Sequence, residues 1–384
     1  MINLSLPNLS KEEIKASSST IRDGWVAGGK FIKKFEDEIK NFTKAKHAIS
    51  CINGTSALHL ALRAIGASKD NEILMPSVSF IATANATIYN NSSPIFLDVD
   101  KYLNLDFISL ENFIKKQTFK KKGILYNKKS KKKILAVVVV HVFGTAANIV
   151  NIKKICKKNN LFLIEDAAGA LGSFYKENKT KKHLGTFGDL GCLSFNANKI
   201  ITSGGGGMVV TNDSKLSKKI RFLSNQAKVN DTFYIHSDIG YNYRLPNVNC
   251  SIGFTQLKKL KSFINIKKKN YRIYSKMLNQ DKIELIDSPK YSASNKWMYV
   301  VRFKTRKNII KKAIRYLKLN GVETKPIWNP LINQPMFSKF QKYEIFNTKK
   351  FILNKLCIPS STFLKKREIK FVANKINLFV DKIL

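Results

Sequence analysis

The chain has 384 residues, of which 44% are hydrophobic and 11% aromatic, a composition that excludes wholesale disorder. Its length is enough for a sizeable core, and allows one large domain with a smaller one attached. Lysine and arginine number 68 against 26 acidic residues, which gives a formal net charge of +42. The five cysteines are scattered and form no CxxC pair, so neither a disulfide framework nor a metal site is predicted.

The basic excess is spread along the whole chain and is densest between Lys120 and Lys133. Only nine of the 68 basic residues are arginine, and lysine lacks the planar fork that reads bases and phosphates. We therefore favour a solvated lysine-rich surface and expect no nucleic acid; attraction of a nucleotide-linked substrate or an acidic membrane surface is the alternative. No apolar run is long enough to span a bilayer and no secretory signal pattern is present, so we expect a cytoplasmic protein.

Predicted helices and strands alternate from residue 30 onward. Apolar residues at helical spacing predict a helix over 30–42, and residues 101–133 are predicted to form a helix followed by a surface loop. The remaining segments read as helix 57–65, strand 72–76, helix 77–90, strand 94–100, strand 134–143, helix 148–160 and strand 161–168. Such alternation is typical of a mostly parallel sheet that is covered by helices on both faces.

The pattern changes after about residue 255. A long amphipathic helix is predicted over 256–278, followed by short strands such as 296–303 and a helix over 308–321. We predict a large α/β domain over residues 1–255 and a smaller α+β domain over 256–384. Residues 1–25 are expected to pack on the smaller domain.

Three motifs carry candidate chemistry. Asp166 ends an apolar strand, where open α/β sheets bind ligands, although a helix cap or a structural ion pair would also explain it. Gly54 and Thr55 open a helix whose first amides can bind an anion, although an ordinary cap has the same sequence. Lys199 stands five positions after Ser194 and precedes four consecutive glycines. In a chain with so many lysines, Lys199 alone predicts no function. The occurrence of all three motifs in this order is what makes it a candidate functional residue.

Together the motifs resemble the pyridoxal-phosphate enzymes of fold type I, and within them the DegT/DnrJ/EryC1/StrS sugar aminotransferases. The matching segments run from about residue 24 to 361 and read NGTSALHLAL, MPSVSFIATANAT, PIFLDVD, HVFG, IEDAAGALGS, GTFGDLGCLSFNANKIITSGGGGMVVT, GYNYRLPNVNCSIG, TKPIWNPL and CIPSS. The likeness is greatest to nucleotide-sugar 4-aminotransferases of legionaminic acid and perosamine type synthesis. It implies a large domain with a mostly parallel, seven-stranded type of sheet and a smaller α+β domain.

The resemblance also implies roles for individual residues. Lys199 would condense with the aldehyde of pyridoxal 5′-phosphate and then carry a proton, while Asp166 would pair with the ring nitrogen. Phe80 would stack on the ring, although a core phenylalanine, one of 25, is the plain alternative. The phosphate would be held by Gly54, Thr55 and Ser194, and Ser56 is a further candidate for cofactor binding.

Further positions concern the partner subunit and the substrate. Asn242 matches a residue that reaches the phosphate of a neighbouring subunit, so the resemblance implies a homodimer with shared active sites. Arg244, Asn196 and Trp328 are weaker candidates for substrate contacts. Gly169 departs from the family, whose members usually carry His, Gln or Glu there, and this departure leaves the substrate open.

The expected function is transfer of an amino group from glutamate to a keto group of a nucleotide-linked 6-deoxy sugar, with C4 favoured and pyridoxamine phosphate as the intermediate cofactor form. Such a reaction belongs to surface polysaccharide or glycan sugar biosynthesis. The alternatives are a 3-aminotransferase, a pyridoxal-phosphate-dependent sugar dehydratase, and a non-catalytic regulatory or nucleic-acid-binding relative. Lys199 argues against the dehydratase branch, where His replaces the lysine, and against a binder, which needs no buried amine.

Overall fold

The computed structural model describes residues 1–177 and 180–383. Within these ranges the α-helices are Lys11–Arg22 (α1), Lys30–Thr43 (α2), Gly54–Ala64 (α3), Ala82–Tyr89 (α4), Phe107–Gln117 (α5), Ile149–Lys158 (α6), Ser214–Ser224 (α7), Asn247–Met277 (α8), Ile310–Leu319 (α9), Phe346–Phe351 (α10) and Lys366–Ile383 (α11). Short 3₁₀ helices occupy Val142–Gly144, Leu331–Asn333 and Pro335–Phe337. None of the described helices is long and apolar enough to cross a membrane.

The strands of the same described ranges are His47–Cys51 (β1), Asn71–Pro76 (β2), Ser93–Leu97 (β3), Thr118–Lys121 (β4), Ile124–Asn127 (β5), Lys133–Val140 (β6), Phe162–Asp166 (β7), Phe174–Glu177 (β8), Thr180–His183 (β9), Leu190–Ser194 (β10), Gly207–Thr211 (β11), Lys228–Asn230 (β12), Ile235–His236 (β13), Ile283–Leu285 (β14), Ser292–Ala293 (β15), Tyr299–Phe303 (β16), Lys325–Pro326 (β17), Lys342–Tyr343 (β18) and Lys355–Ile358 (β19).

The central sheet has the strand order β1-β11-β10-β7-β6-β2-β3-β18. All neighbours from β10 to β18 run parallel, and β11 runs antiparallel to both β10 and β1. The predicted α/β fold of type I, with its mostly parallel sheet, is therefore confirmed. Because the strands run parallel, their carboxyl ends meet at one edge of the sheet, and ligands bind along that edge.

The sheet is buried on both faces, which explains why β6 is a nearly unbroken apolar run. One face packs against α2, α5 and α6 through side chains such as Phe35, Phe113 and Ile152. The other face packs against α3 and α7 through Leu60 and Ile220. Burial of this apolar area, at roughly 25 cal/mol per Å², is the main force that holds the strand ends in place.

The prediction of a surface loop at the end of residues 101–133 is wrong. After α5, the strands β4 and β5 form a hairpin whose register pairs Thr118 with Asn127. The rings of Phe119 and Tyr126 stack across it with centroids 5.6 Å apart. Gly123, at a φ of 76°, turns the chain between the strands. Cross-strand ring packing and the glycine turn together outweigh the low strand propensity of the lysines.

A second, antiparallel sheet of order β14-β16-β19-β17 forms the C-terminal part, and α9 and α11 share its core. The helix α8 joins both cores, with Ile264 in the core of the large sheet and Tyr274 in that of the small one. The predicted division after residue 255 falls inside this continuous helix. We therefore propose that the change of domain occurs later, between Ile264 and Tyr274.

The N-terminal segment contacts C-terminal residues directly. Ile2 donates its amide to the carbonyl of Gly321 at 2.7 Å, and the carbonyl of Leu4 accepts from the amide of Ser360 at 2.8 Å. Helix α1 continues along α8, where the side chain of Gln256 donates to Glu13 at 2.9 Å. Residues 1–25 thus contact both the small domain and the helix that enters it.

Candidate active site

A cavity of about 370 Å³ opens at the carboxyl ends of β6, β7 and β10. Of the residues predicted to hold the cofactor, it is lined by Gly54, Thr55, Phe80, Asp166, Ser194 and Lys199. The weaker substrate candidates Asn196 and Trp328 line it as well. Residues that the motifs treat separately are thus brought to one place by the parallel order of the strands.

Three predicted site residues lie outside this cavity. Ser56 is buried, and its amide donates to the side chain of Asn53 at 2.8 Å, which forms the cap of α3, so its role in holding the cofactor stays a prediction. Asn242 is exposed and forms an isolated bridge with Asn225, and Arg244 is also exposed. The chain does not bring Asn242 or Arg244 to its own cavity, so their roles stay predictions that need a second subunit.

One end of the cavity is suited to an anion. Asn53 caps α3, so that the amides of Gly54 and Thr55, which have no acceptor within the helix, stand at its positive end. The Ser194 hydroxyl lies beside them at the end of β10. A Cβ at Gly54 would come within 2.8 Å of the Ser194 Cβ, so a glycine is needed for the helix to start this close to the strand.

The carboxylate of Asp166 is oriented by two hydrogen bonds. The hydroxyl of Thr83 donates to Oδ2 at 2.6 Å, and the amide of Ala168 donates to Oδ1 at 3.2 Å. The residue is only 6% exposed. Thr83, on α4, escaped sequence analysis because a single threonine in a helical pattern gives no signal of its own.

Lys199 lies on the loop between β10 and β11 and lines the cavity together with Asp166. Burial lowers the pKa of its amine to about 8, and the negative charge of Asp166 opposes part of that shift. The Nζ atom stands 3.8 Å from the centroid of the Trp297 ring. A large fraction of the amine is therefore neutral, and nucleophilic, at a pH near 8.

A buried hydrogen-bond network fixes the strand ends behind the cavity. The amide of Ala147 donates to Nδ1 of His141 at 3.2 Å, so Nε2 carries the hydrogen and donates to Glu165 at 2.9 Å. Backbone amides within residues 185–188 donate to the same carboxylate. Burial alone would raise the pKa of Glu165, but these hydrogen bonds outweigh it and hold the pKa below its ordinary value. Glu165 thus joins β6 and β7 while its neighbour Asp166 remains available to a ligand.

The cavity fits pyridoxal 5′-phosphate in three respects. Its amide-lined end suits the phosphate, its oriented carboxylate suits a protonated ring nitrogen, and its amine, which burial makes easier to deprotonate, suits the aldehyde. Fold and site together define a pyridoxal-phosphate-dependent enzyme of fold type I.

Comparison with known proteins supports this class. The model of the DegT/DnrJ/EryC1/StrS aminotransferase family matches residues 7–377. The chain is 32% identical over 376 residues to GDP-perosamine synthase of Escherichia coli O157:H7, covering 97% of each. It is also 32% identical over 376 residues to the putative pyridoxal phosphate-dependent aminotransferase EpsN of Bacillus subtilis (strain 168), covering 96% of the chain and 92% of EpsN.

A solved structure shows the same fold. The aminotransferase TlmJ from Streptoalloteichus hindustanus superposes with a TM-score of 0.89 at 25% identity, and the match covers 100% of both chains. The chain belongs to the DegT/DnrJ/EryC1/StrS aminotransferase family.

Proposed function

We propose that the protein transfers an amino group from glutamate to the C4 keto group of a nucleotide-linked 6-deoxy sugar, for a surface polysaccharide or glycan. The observation that carries the reaction type is the meeting of Lys199, Asp166 and the α3 N-terminus in one cavity. The substrate class is supported by the full-length likeness to a relative named GDP-perosamine synthase.

When bound, pyridoxal phosphate supplies an aldehyde for amines and a ring that accepts electrons from the neighbouring carbon. Asp166 holds the proton on the ring nitrogen, and Thr83 keeps that carboxylate in place. The amides of Gly54 and Thr55, with the Ser194 hydroxyl, hold the phosphate and so fix the cofactor's position.

Lys199 moves the proton during transfer. A pKa of about 8 allows its amine to accept a proton and to release it again near neutral pH, as general acid–base catalysis requires. Replacing Lys199 by alanine removes both the nucleophile and the proton carrier. We expect turnover to fall at least about a thousandfold, since each role alone contributes on the order of 10²–10⁴-fold.

Aromatic rings form the outer wall of the cavity and support a sugar substrate. The Trp328 ring lies 4.5 Å from that of Phe143 and 6.1 Å from that of Phe80, measured between centroids. Phe80 is 56% exposed and stands at the mouth. Its stacking on the cofactor ring stays a prediction, while the wall as a whole offers apolar faces to a deoxysugar ring.

We propose further that two copies share their active sites. The segment 228–239 exposes large apolar side chains, which are Val229, Phe233, Tyr234, Ile235 and Ile239. Exposed apolar clusters of this kind mark association surfaces. Asn242 follows three positions after this segment and lies outside the cavity of its own chain, as a residue that serves the partner's cavity would. Mixing Asn242→Ala with Lys199→Ala protein should then restore part of the activity that each variant lacks alone.

The substrate proposal is tested by incubating the protein with pyridoxal phosphate, glutamate and GDP- or UDP-linked 4-keto-6-deoxy sugars. Mass spectrometry should show the keto sugar converted to an amino sugar, with no product from Lys199→Ala. Lys261→Ala, which alters an exposed lysine of α8, is the matched control and should keep full activity.

Three other outcomes would contradict the proposal in different ways. Product from 3-keto but not 4-keto sugars would indicate a 3-aminotransferase. Loss of a hydroxyl without gain of nitrogen would indicate a dehydratase. Failure of the wild-type protein to take up pyridoxal phosphate would remove the catalytic function altogether.

A further inference from the structure

Trp297 is a wall of the cavity that the mechanism above leaves without a role. It precedes β16 in the C-terminal part of the chain, whereas Lys199 lies between strands of the central sheet. The residue is only 4% exposed, and its ring lies 3.8 Å from the Lys199 Nζ atom. The amine of Lys199 therefore lies directly against the face of the Trp297 ring.

Gly169 leaves the space that this ring occupies. A Cβ placed on Gly169 would come within 2.4 Å of Cε3 and 2.6 Å of Cζ3 of Trp297. Such distances are far inside van der Waals contact, so any side chain at position 169 would displace the indole. The absence of a side chain at position 169 is thus explained by the ring that packs against Gly169.

The backbone around Trp297 is held rigidly. Its amide donates to Oδ1 of Asn295 at 2.9 Å, and the Nδ2 atom of the same side chain donates to the carbonyl of Gly169 at 2.9 Å. The Trp297 carbonyl accepts from the buried amine of Lys267 at 2.8 Å. The indole Nε1 donates to the carbonyl of Asn198, the residue before Lys199, at 2.6 Å. One residue therefore fixes both the loop and the amine of Lys199.

We propose that Trp297 is a positioning residue that holds the Lys199 amine against its ring face, and that Gly169 is glycine in order to admit that ring. The face of an indole attracts a cation, and the attraction is strongest where water is excluded. The ring therefore stabilises the protonated amine at a site where burial disfavours it. The other titratable groups that line the cavity are Asp166 and His141, and they are the same in every variant below.

The proposal rests on Lys199 as the reactive amine and not on the identity of the sugar. Its test therefore reads Lys199 itself: full-length protein without cofactor is acylated competitively over a range of pH, and mass spectrometry follows the peptide that contains Lys199. We expect the midpoint for Lys199 to fall by about half to one unit in Trp297→Leu, because burial persists without the ring's attraction. In Trp297→Phe the midpoint should fall less, since an aromatic ring remains beside the amine.

Trp328→Leu is the matched control, because it removes the other tryptophan of the same cavity without touching the amine. Its midpoint should equal that of the wild-type protein. An unchanged midpoint in Trp297→Leu, or an equal shift in Trp328→Leu, would overturn the proposal. Should Trp297→Leu not fold, the comparison of Trp297→Phe with Trp328→Phe decides in the same way.

A double-mutant cycle tests the role of Gly169. Gly169→Ala should lower the Lys199 midpoint as Trp297→Leu does, because the added methyl displaces the ring. Once position 297 carries leucine, the alanine should add little, so the two effects should not sum. Additive shifts, or a Gly169→Ala protein with the wild-type midpoint and indole fluorescence, would show that the glycine and the ring are independent.

Discussion

The two edges of the central sheet, where the strands end and where they begin, differ in how their lysines are exposed to water: the lysine at the carboxyl edge is buried, and those at the amino edge are exposed. At the carboxyl edge, Lys199 stands beside Asp166 in a mostly buried cavity, and its pKa falls to about 8. At the amino edge, about 23 Å away along β6, the hairpin of residues 118–127 and the turn up to Lys133 expose a dense cluster of lysines. The number of charges is thus a poor guide to chemistry. Removal from water is what moves the pKa of a lysine toward neutral pH, and a cavity beside the amine is what allows it to react.

The largest expected effect concerns the acid at the carboxyl edge. Asp166→Asn keeps the shape of the side chain but removes its charge, and turnover should fall by roughly 10²–10⁴-fold. Because the charge of Asp166 raises the pKa of Lys199, the acylation midpoint of Lys199 should move to lower pH in this variant. Steady-state kinetics and the labelling experiment measure the two effects separately.

The control for this prediction is a carboxylate at the opposite edge. Asp189 precedes β10, is exposed, and accepts from the amide of Leu163 at 2.7 Å. Asp189→Asn should change turnover by less than about twofold and should leave the pH midpoint of Lys199 acylation unchanged, because exposed charges at this distance are screened. Equal losses in both variants would mean that the two edges do not differ as described.

Sequence analysis predicted those features of the two edges that can be read from one continuous stretch of residues. The apolar runs of β6 and β7 predicted the sheet, and the position of Asp166 at the end of β7 predicted that its carboxylate lies at the ligand-binding edge. Lys199 was found only because its surrounding words resemble a family, since nothing in its composition separates it from other lysines. Sequence analysis did not predict the hairpin, because its many lysines are typical of a surface loop and outnumber the two rings, Phe119 and Tyr126, that pair across it.

Long-range contacts explain what the sequence did not show. Trp297 reaches Lys199 across nearly a hundred positions of chain, and no spacing rule connects them. Lys267 follows a helical pattern with lysines on several sides, so its burial cannot be read from that pattern. Only the packing of α8 between two cores decides which lysine is buried.

Lys267 sharpens the comparison, because it is buried but has no reactive role. Its amine donates to the carbonyls of Trp297 and Ser360, and burial lowers its pKa to about 7. Between that value and its ordinary pKa of 10.5, the unfolded chain binds a proton that the folded chain has released, so stability should rise with pH. Relative to Lys267→Met, the wild-type free energy of unfolding should gain about 2 kcal/mol from pH 7 to pH 9.

Urea unfolding at the two pH values measures this difference. Lys261→Met, which alters an exposed lysine on the same helix, is the control and should follow the wild-type pH dependence. If the free energy of unfolding of Lys267→Met changes with pH in the same way as that of the wild-type protein, then Lys267 keeps its proton in the folded state. The distinction between buried and exposed lysines would then fail at this position.

The smallest effect is expected at the amino edge. Lys121, Lys128 and Lys129 are exposed lysines of the hairpin and its following turn, and replacing all three by glutamine removes three charges far from the cavity. At physiological salt the Debye length is about 8 Å, so kcat/KM should change by less than about twofold. A salt-sensitive kcat/KM in the wild-type protein should therefore persist in the triple variant. A loss of that salt dependence would show instead that the hairpin itself attracts the anionic substrate, and that exposed lysines at the amino edge act on the reaction from a distance.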